Sequence, residues 1–173
     1  MGRGRLLGDF IRLFIVHDST LPIYSHYNMS IPMERFGITM EKTTSPDRVN
    51  VSSGSPFEGP IGFSRAVRIG NVIAVSGTAP VAKDGSTAFV GDAYRQTKRC
   101  LEIIQKAIEN AGGELRNTIR TRVFLTDISK WTEVGRAHGE FFGDIRPACT
   151  FVEAKGLISG DWLVEIEADC ILD

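Results

Sequence analysis

The sequence has no zinc-ligand spacing, no Walker A motif, no dinucleotide-binding glycine fingerprint and no Ser-His-Asp order. Each needs a fixed pattern of residue types to hold its metal, phosphate or nucleophile, and none of these patterns is offered. Cysteine is scarce. Cys100, Cys149 and Cys170 form neither a CxxC pair nor a His/Cys cluster. An odd, widely spaced set does not build a disulfide framework, and reduced thiols fit a cytoplasmic setting. There is no excess of charge of one sign: the net charge is −1 and the pI about 6.3. A non-specific grip on nucleic acid needs a basic field, so no nucleic-acid partner is expected. No run approaches the roughly 18 apolar residues of a membrane span, and Asp9 and Arg12 interrupt the only N-terminal apolar patch where a signal peptide needs an unbroken centre.

What is present is ordinary for a globular protein. The chain has 173 residues, 42% hydrophobic and 24% charged, enough for one domain and an appendage. Residues 1–45 form no convincing element. Pro22 and Pro32, scattered polar residues and the patch Phe10–Val16 read as a disordered extension. With Met29, Met33 and Met40 inside it, a later true start is an equal reading; a transit segment or a partner-binding arm is a weaker one. The domain then spans residues 46–173, and residues 44–62, rich in Ser, Gly and Pro, read as loop.

The C-terminal stretch, Ile145 to Asp173, organises the rest. Val164, Ile166, Ala168, Cys170 and Leu172 alternate with Glu165, Glu167 and Asp169. Period two sends the first set to a core and the second to the opposite sheet face. A strand from Ala148 to Lys155 precedes it, joined by a turn, and the pair is expected to lie side by side as the floor of any active site. Upstream, Phe63–Ile69 and Val72–Ser76 read as a hairpin around Gly70-Asn71. Ala93, Thr97, Cys100, Leu101, Ile104, Ala107, Ile108 and Ala111 make one stripe of a helix from Asp92 to Ala111, stopped by Gly112-Gly113. Ile119 to Asp127 reads as a strand with Ile119, Thr121, Val123 and Leu125 on one face. A second helix, about Lys130 to Phe142, carries Trp131, Val134, Ala137, His138, Phe141 and Phe142 as its stripe. The order is β-β-α-β-α-β-β. It gives an α+β fold: a mixed sheet with two helices on one face. The other sheet face mixes Phe124 with arginines and carboxylates, which suits a subunit interface.

The segments GFSRAVRIGNVIAVSGTAP, GDAYRQTKRCLEIIQKAIENAGG, IRTRVFLTDISKW, RAHGEFFGDIRPA and LVEIEADC, in this order and spacing, resemble the Rid family. These are the reactive intermediate deaminases, also called the YjgF or endoribonuclease L-PSP family. The resemblance covers about three-quarters of the chain. It implies a chorismate-mutase-like fold, a homotrimer with ligand clefts between neighbouring subunits, and cofactor-free hydrolysis of imines or enamines such as 2-aminoacrylate. In that chemistry an arginine pairs with the substrate carboxylate, and a glutamate on the last strand positions or activates water. The glutamate maps onto Glu165. The arginine position, after Pro147-Ala148, is Cys149. A family aromatic is matched by Phe63 rather than tyrosine, and Ser76 matches a small polar residue at the cleft.

Glu165 is therefore the catalytic candidate, against a plain charged interface residue. Cys149, Arg65, Ser76, Phe63 and Phe151 are the candidate substrate contacts. Glu167 and Asp169 are expected to pair with Arg120 or Arg122. Cys149 reads as a small, buried, inert cysteine more readily than as a nucleophile, because no spacing motif joins it to a histidine. His138 reads as a packing residue. Arg65 is a better replacement for the missing cation than Arg146, which falls on the other strand face from Cys149. Two functions stay open: an imine or enamine deaminase, or a non-catalytic trimer that binds a small metabolite.

Overall fold

The computed structural model describes residues 48–173; the expectations for residues 1–45 lie outside the described residues. In chain order the elements are strand β1 (Arg48–Val51), the short helix α1 (Glu58–Ile61), β2 (Ala66–Ile69), β3 (Val72–Thr78), helix α2 (Ala93–Asn110), β4 (Thr118–Leu125), helix α3 (Trp131–Phe142), β5 (Ala148–Glu153) and β6 (Val164–Ile171). The α+β fold with two long helices on one face of a mixed sheet is as the sequence implies. Strand β1 and helix α1 are additions inside the segment that reads as loop. β1 buries only Val51, so four residues give no period to detect. α1 is one turn, closed by Gly62 in the left-handed region at φ 81°.

The six strands run in the order β1-β2-β3-β6-β4-β5. β2 and β3 form the hairpin, and Gly70 turns the corner at φ 59°. β6 lies antiparallel between β3 and β4, and β5 runs parallel to β4 at the edge. The last two strands are thus not neighbours. The β4-α3-β5 crossover seats β5 beside β4, and the loop after β5 carries the chain past β4 to its far side.

The core lies between the sheet and the helices. Ile73, Val75, Thr121, Val123, Leu125, Val164, Ile166, Ala168 and Cys170 supply the sheet side. The whole α2 stripe is buried against it, and Val134, Ala137 and Phe142 of α3 complete the layer. Asp92 caps α2 by accepting a hydrogen bond from the Arg95 amide at 2.9 Å, and Arg68 donates to the carbonyl of Ala111 at its other end. Trp131, expected on the α3 stripe, is exposed; it begins the helix, before the packed turn. Ile119 is also exposed, while Thr118 is buried. A register shift between Thr118 and Arg120 inserts one extra residue opposite β6, and this bulge breaks the expected alternation.

Gln96 lies fully buried beside the apolar stripe of α2. Its amide donates to the carbonyl of Asp161 at 2.8 Å and its oxygen accepts from the Leu163 amide at 2.8 Å. That pair of bonds ties the entry of β6 to the helix. Gln96→Leu leaves two backbone groups without partners and is expected to lower the unfolding free energy by about 2 to 4 kcal/mol. A urea titration reads this as a lower midpoint at unchanged slope.

Candidate functional site

Near its C-terminal end, β3 departs from regular pairing. Val75 faces Ala168 and Thr78 faces Ile166, so three steps on β3 match two on β6. Ser76 and Gly77 form the resulting bulge. Arg65, just before β2, braces it: Nη1 donates to the carbonyl of Gly77 at 2.6 Å, to the Thr78 hydroxyl at 2.9 Å and to the carbonyl of Ser76 at 3.3 Å. The Ser76 hydroxyl donates back toward the carbonyls of Ser64 and Arg65, at 3.1 and 3.2 Å. The Ser76 hydroxyl and Arg65 Nη1 are thus engaged by the bulge and its surroundings. Arg65 Nε is buried without a hydrogen-bond partner among the described residues. Burial pulls the Arg65 guanidinium below its ordinary value, opposed by the Glu58 and Glu165 carboxylates.

Glu165 lies on β6, across from the bulge. A Cβ added to Gly77 would overlap Glu165 Oε1, so the carboxylate rests directly on the glycine backbone. Gly77 has no positive φ; its missing side chain is what the site requires. The Glu165 side chain has no hydrogen-bond partner among the described residues, and Arg65 is the cation that acts on it. Burial pushes the carboxyl above its ordinary value, Glu167 adds to the rise, and Arg65 opposes it. A half-buried carboxylate held in this way can orient a water and take its proton.

Two residues further along the same face, Glu167 and Asp169 share one cation. Arg122 bridges them at 3.3 and 3.0 Å. Arg122 is thus the partner, and Arg120 is not part of the bridge. These groups border an open groove of about 590 Å³ that also includes Phe63, Ser64, Ala74 and Ser76. Phe63 and Ser76 are therefore brought together on the sheet face that bears Glu165.

Cys149 and Phe151 are not. In the parallel register Cys149 faces Thr121 and Phe151 faces Val123, both core-side residues of β4. Both candidates therefore point to the helix side of the sheet, opposite to Glu165, with β4 between the two strands. Cys149 is exposed rather than buried, because β5 is an edge strand. Its Sγ is 3.8 Å from Nε2 of His138, a contact that no sequence spacing signals. Arg146 stands outside β5 with φ 53° and donates to the carbonyl of Gly143. Gly77 is the site residue missed by the sequence reading. The glycine after Ser76 gave no sign of function, since only the carboxylate above it explains it.

Among the described residues no group of three His, Cys, Asp or Glu could hold a metal ion, and no helix is long and apolar enough to cross a membrane.

The profile of the Endoribonuclease L-PSP family matches residues 57–172. The chain belongs to this family, the Rid or YjgF family. A RutC family protein of Pyrococcus abyssi is 36% identical over 110 residues, which are 63% of this chain and 86% of that protein. The 3-aminoacrylate deaminase RutC of Acinetobacter baylyi is 35% identical over 101 residues, 58% of this chain and 79% of the relative. A crystal structure of a YjgF/YER057c/UK114 family member from Mycobacterium tuberculosis matches with a TM-score of 0.66 at 44% identity, covering 73% of this chain and 100% of that one. The profile match leaves residues 1–56 outside it.

The contact between Gly77 and Glu165 is open to a direct test. Gly77→Ala is expected to push the carboxylate off the backbone into solvent. A carboxyl NMR titration of Glu165 then shows its midpoint moving down toward the ordinary glutamate value. The sign for stability follows from the same shift. A carboxyl raised in the folded state favours folding most below its ordinary value, and that contribution is lost as pH rises through the raised value. Glu165→Gln is therefore expected to raise the melting temperature at pH 7 to 8 relative to wild type, and to lose that advantage near pH 4.

Proposed function

We propose that this Rid-family chain hydrolyses a reactive imine or enamine without a cofactor, at a cleft completed by neighbouring copies in a homotrimer. The observation that carries the reading is Glu165: a half-buried carboxylate without a hydrogen-bond partner among the described residues, seated on Gly77 and raised by burial. A general base works best with a pKa near the operating pH, and the upward shift moves the carboxyl that way. Glu165 takes a proton from water, whose oxygen adds to the imine carbon. That proton passes to the nitrogen to give the carbinolamine; Glu165 then carries the hydroxyl proton to the nitrogen as the carbon–nitrogen bond breaks, giving ammonia and a carbonyl compound, and an enamine enters as its imine tautomer. Because a RutC relative is a 3-aminoacrylate deaminase, aminoacrylates are the substrates to try first.

The trimer reading is supported by the sheet face that bears Glu165. Ile69, Val72, Val152 and Ile171 are each more than two-fifths exposed there, beside the Arg122 bridge. An exposed surface that mixes apolar side chains with paired charges suits an interface between copies. The cytoplasm is the proposed location.

A second reading, a metabolite-binding trimer without turnover, is favoured by one observation. Cys149 stands at the position of the substrate-binding arginine, Arg65 is engaged by the bulge and Arg122 by two carboxylates. The test is ammonia release from 3-aminoacrylate and from 2-aminoacrylate, each generated in situ. Wild type is expected to accelerate release from at least one of them, and Glu165→Gln to lower that rate by about 100-fold or more. Turnover that survives Glu165→Gln removes the base from the mechanism. Turnover that appears only in Cys149→Arg supports the binding reading.

A further inference from the structure

A carboxylate base meets two demands that pull against each other. It must be ionised at the working pH, and its oxygens must be free to take a proton from water. Burial works against the first, because a half-buried carboxylate holds its proton more tightly. Around Glu165, Gly77 of β3 lies beneath the carboxylate and Phe124 of β4 is its partner in the sheet register. Glu167 follows on the same face of β6 and adds to the rise. Arg122 of β4 is engaged by Glu167 and Asp169. Arg65 is the cation that acts against the rise.

Arg65 is fixed at both ends. Its amide donates to the carbonyl of Val51 at 2.8 Å, and its carbonyl accepts from the Ser76 amide at 3.0 Å. At the other end Nη1 holds the carbonyl of Gly77 and the hydroxyl of the buried Thr78. Thr78 donates in turn to the Ser76 carbonyl at 2.8 Å, so the bulge closes on the guanidinium. The bound carbonyl belongs to the residue on which the Glu165 carboxylate rests. The cation therefore stands a peptide group away from the anion, and its hydrogen bonds go to the bulge. An ion pair closed directly on Glu165 would occupy the oxygens that water needs. Glu58 of α1 also acts on the Arg65 guanidinium, but its own oxygens accept from Ser52 and Ser53.

We propose that Arg65 is a positioning residue for the reaction at Glu165: held by the bulge, it supplies the countercharge for the carboxylate without occupying its oxygens. Charge and brace are separate duties of one side chain. The charge favours the carboxylate over the carboxylic acid. The brace keeps Gly77 beneath it. Lysine retains the charge and loses the fork; glutamine retains a donor and loses the charge. The bearing on catalysis rests on the reading of Glu165 as the base. The coupling of the two charges does not, and it is measured without substrate.

The experiment is a carboxyl NMR titration of Glu165 in the full chain, for wild type, Arg65→Gln and Arg65→Lys. The pH profile of ammonia release from an aminoacrylate is followed beside it. Arg65→Gln is expected to move the Glu165 midpoint upward, opposite in direction to Gly77→Ala. Arg65→Lys is expected to return it toward the wild-type position. The acid limb of the rate follows the same order. Measured against wild type, Arg65→Gln then loses about threefold or more in rate at pH 5 beyond any loss at pH 8. A midpoint that does not move in Arg65→Gln overturns the proposal. So does a midpoint that falls in Arg65→Lys as it does in Gly77→Ala, which makes Arg65 a brace alone. That second variant decides the matter even if Arg65→Gln does not fold. If wild type releases no ammonia while the midpoints move as expected, the deaminase reading fails and Arg65 is still supported as the countercharge.

Discussion

Arg65 Nη1 gathers three oxygens at the end of β3, and the extra residue that the gathering accommodates is what turns Gly77 toward β6. Bulges bend the strand that carries them and re-aim the side chains beside them. Here the strand presents bare backbone to the neighbouring strand, and the Glu165 carboxylate occupies the space. A half-buried arginine, a bulge and a glycine thus hold one carboxylate half out of water with no hydrogen-bond donor to it among the described residues. Burial raises it, and the cation that braces the bulge limits the rise. The reactivity proposed for Glu165 depends on this small set of backbone contacts more than on any pocket wall.

The sheet separates two sets of polar side chains. On one face stand Glu165, Ser76 and the groove with Phe63; on the other, Cys149 and His138 at the edge beside α3. β4 lies between their strands and contributes to both, with Arg122 bridging carboxylates outward and Thr121 meeting His138 inward. Period two on a single strand is enough to serve both faces. Within one chain Cys149 cannot replace an arginine beside Glu165. A neighbouring copy could bring another Cys149 to that cleft, which is why the trimer belongs to the proposal.

Long-period signals in the sequence carried most of the fold. The stripe of α2, the alternation of β6 and the Gly70-Asn71 hairpin were each legible, because burial on one face imposes a pattern over many residues. What failed was short or irregular. β1 is too brief to show a period, and the bulge at Ile119 reverses the face of a single residue. Strand adjacency was also hidden. β5 follows β4 in space although β6 follows β5 in sequence, and only the crossover decides that. At the site, Glu165 and Ser76 were named from the family pattern, and Arg65 was named as a substrate contact with no sign in the sequence of its brace on the bulge. Gly77 and the Cys149–His138 contact depend on distances between strands and helices, which no local pattern encodes.

The central claim is that a raised Glu165, held on Gly77, acts as the base. The most direct measurement is the pH profile of the rate of ammonia release from an aminoacrylate by wild type and Gly77→Ala. The account predicts an acid limb whose midpoint lies above the ordinary glutamate value in wild type and moves toward lower pH in Gly77→Ala, with a slower plateau. An acid limb at the same pH in both proteins would contradict it.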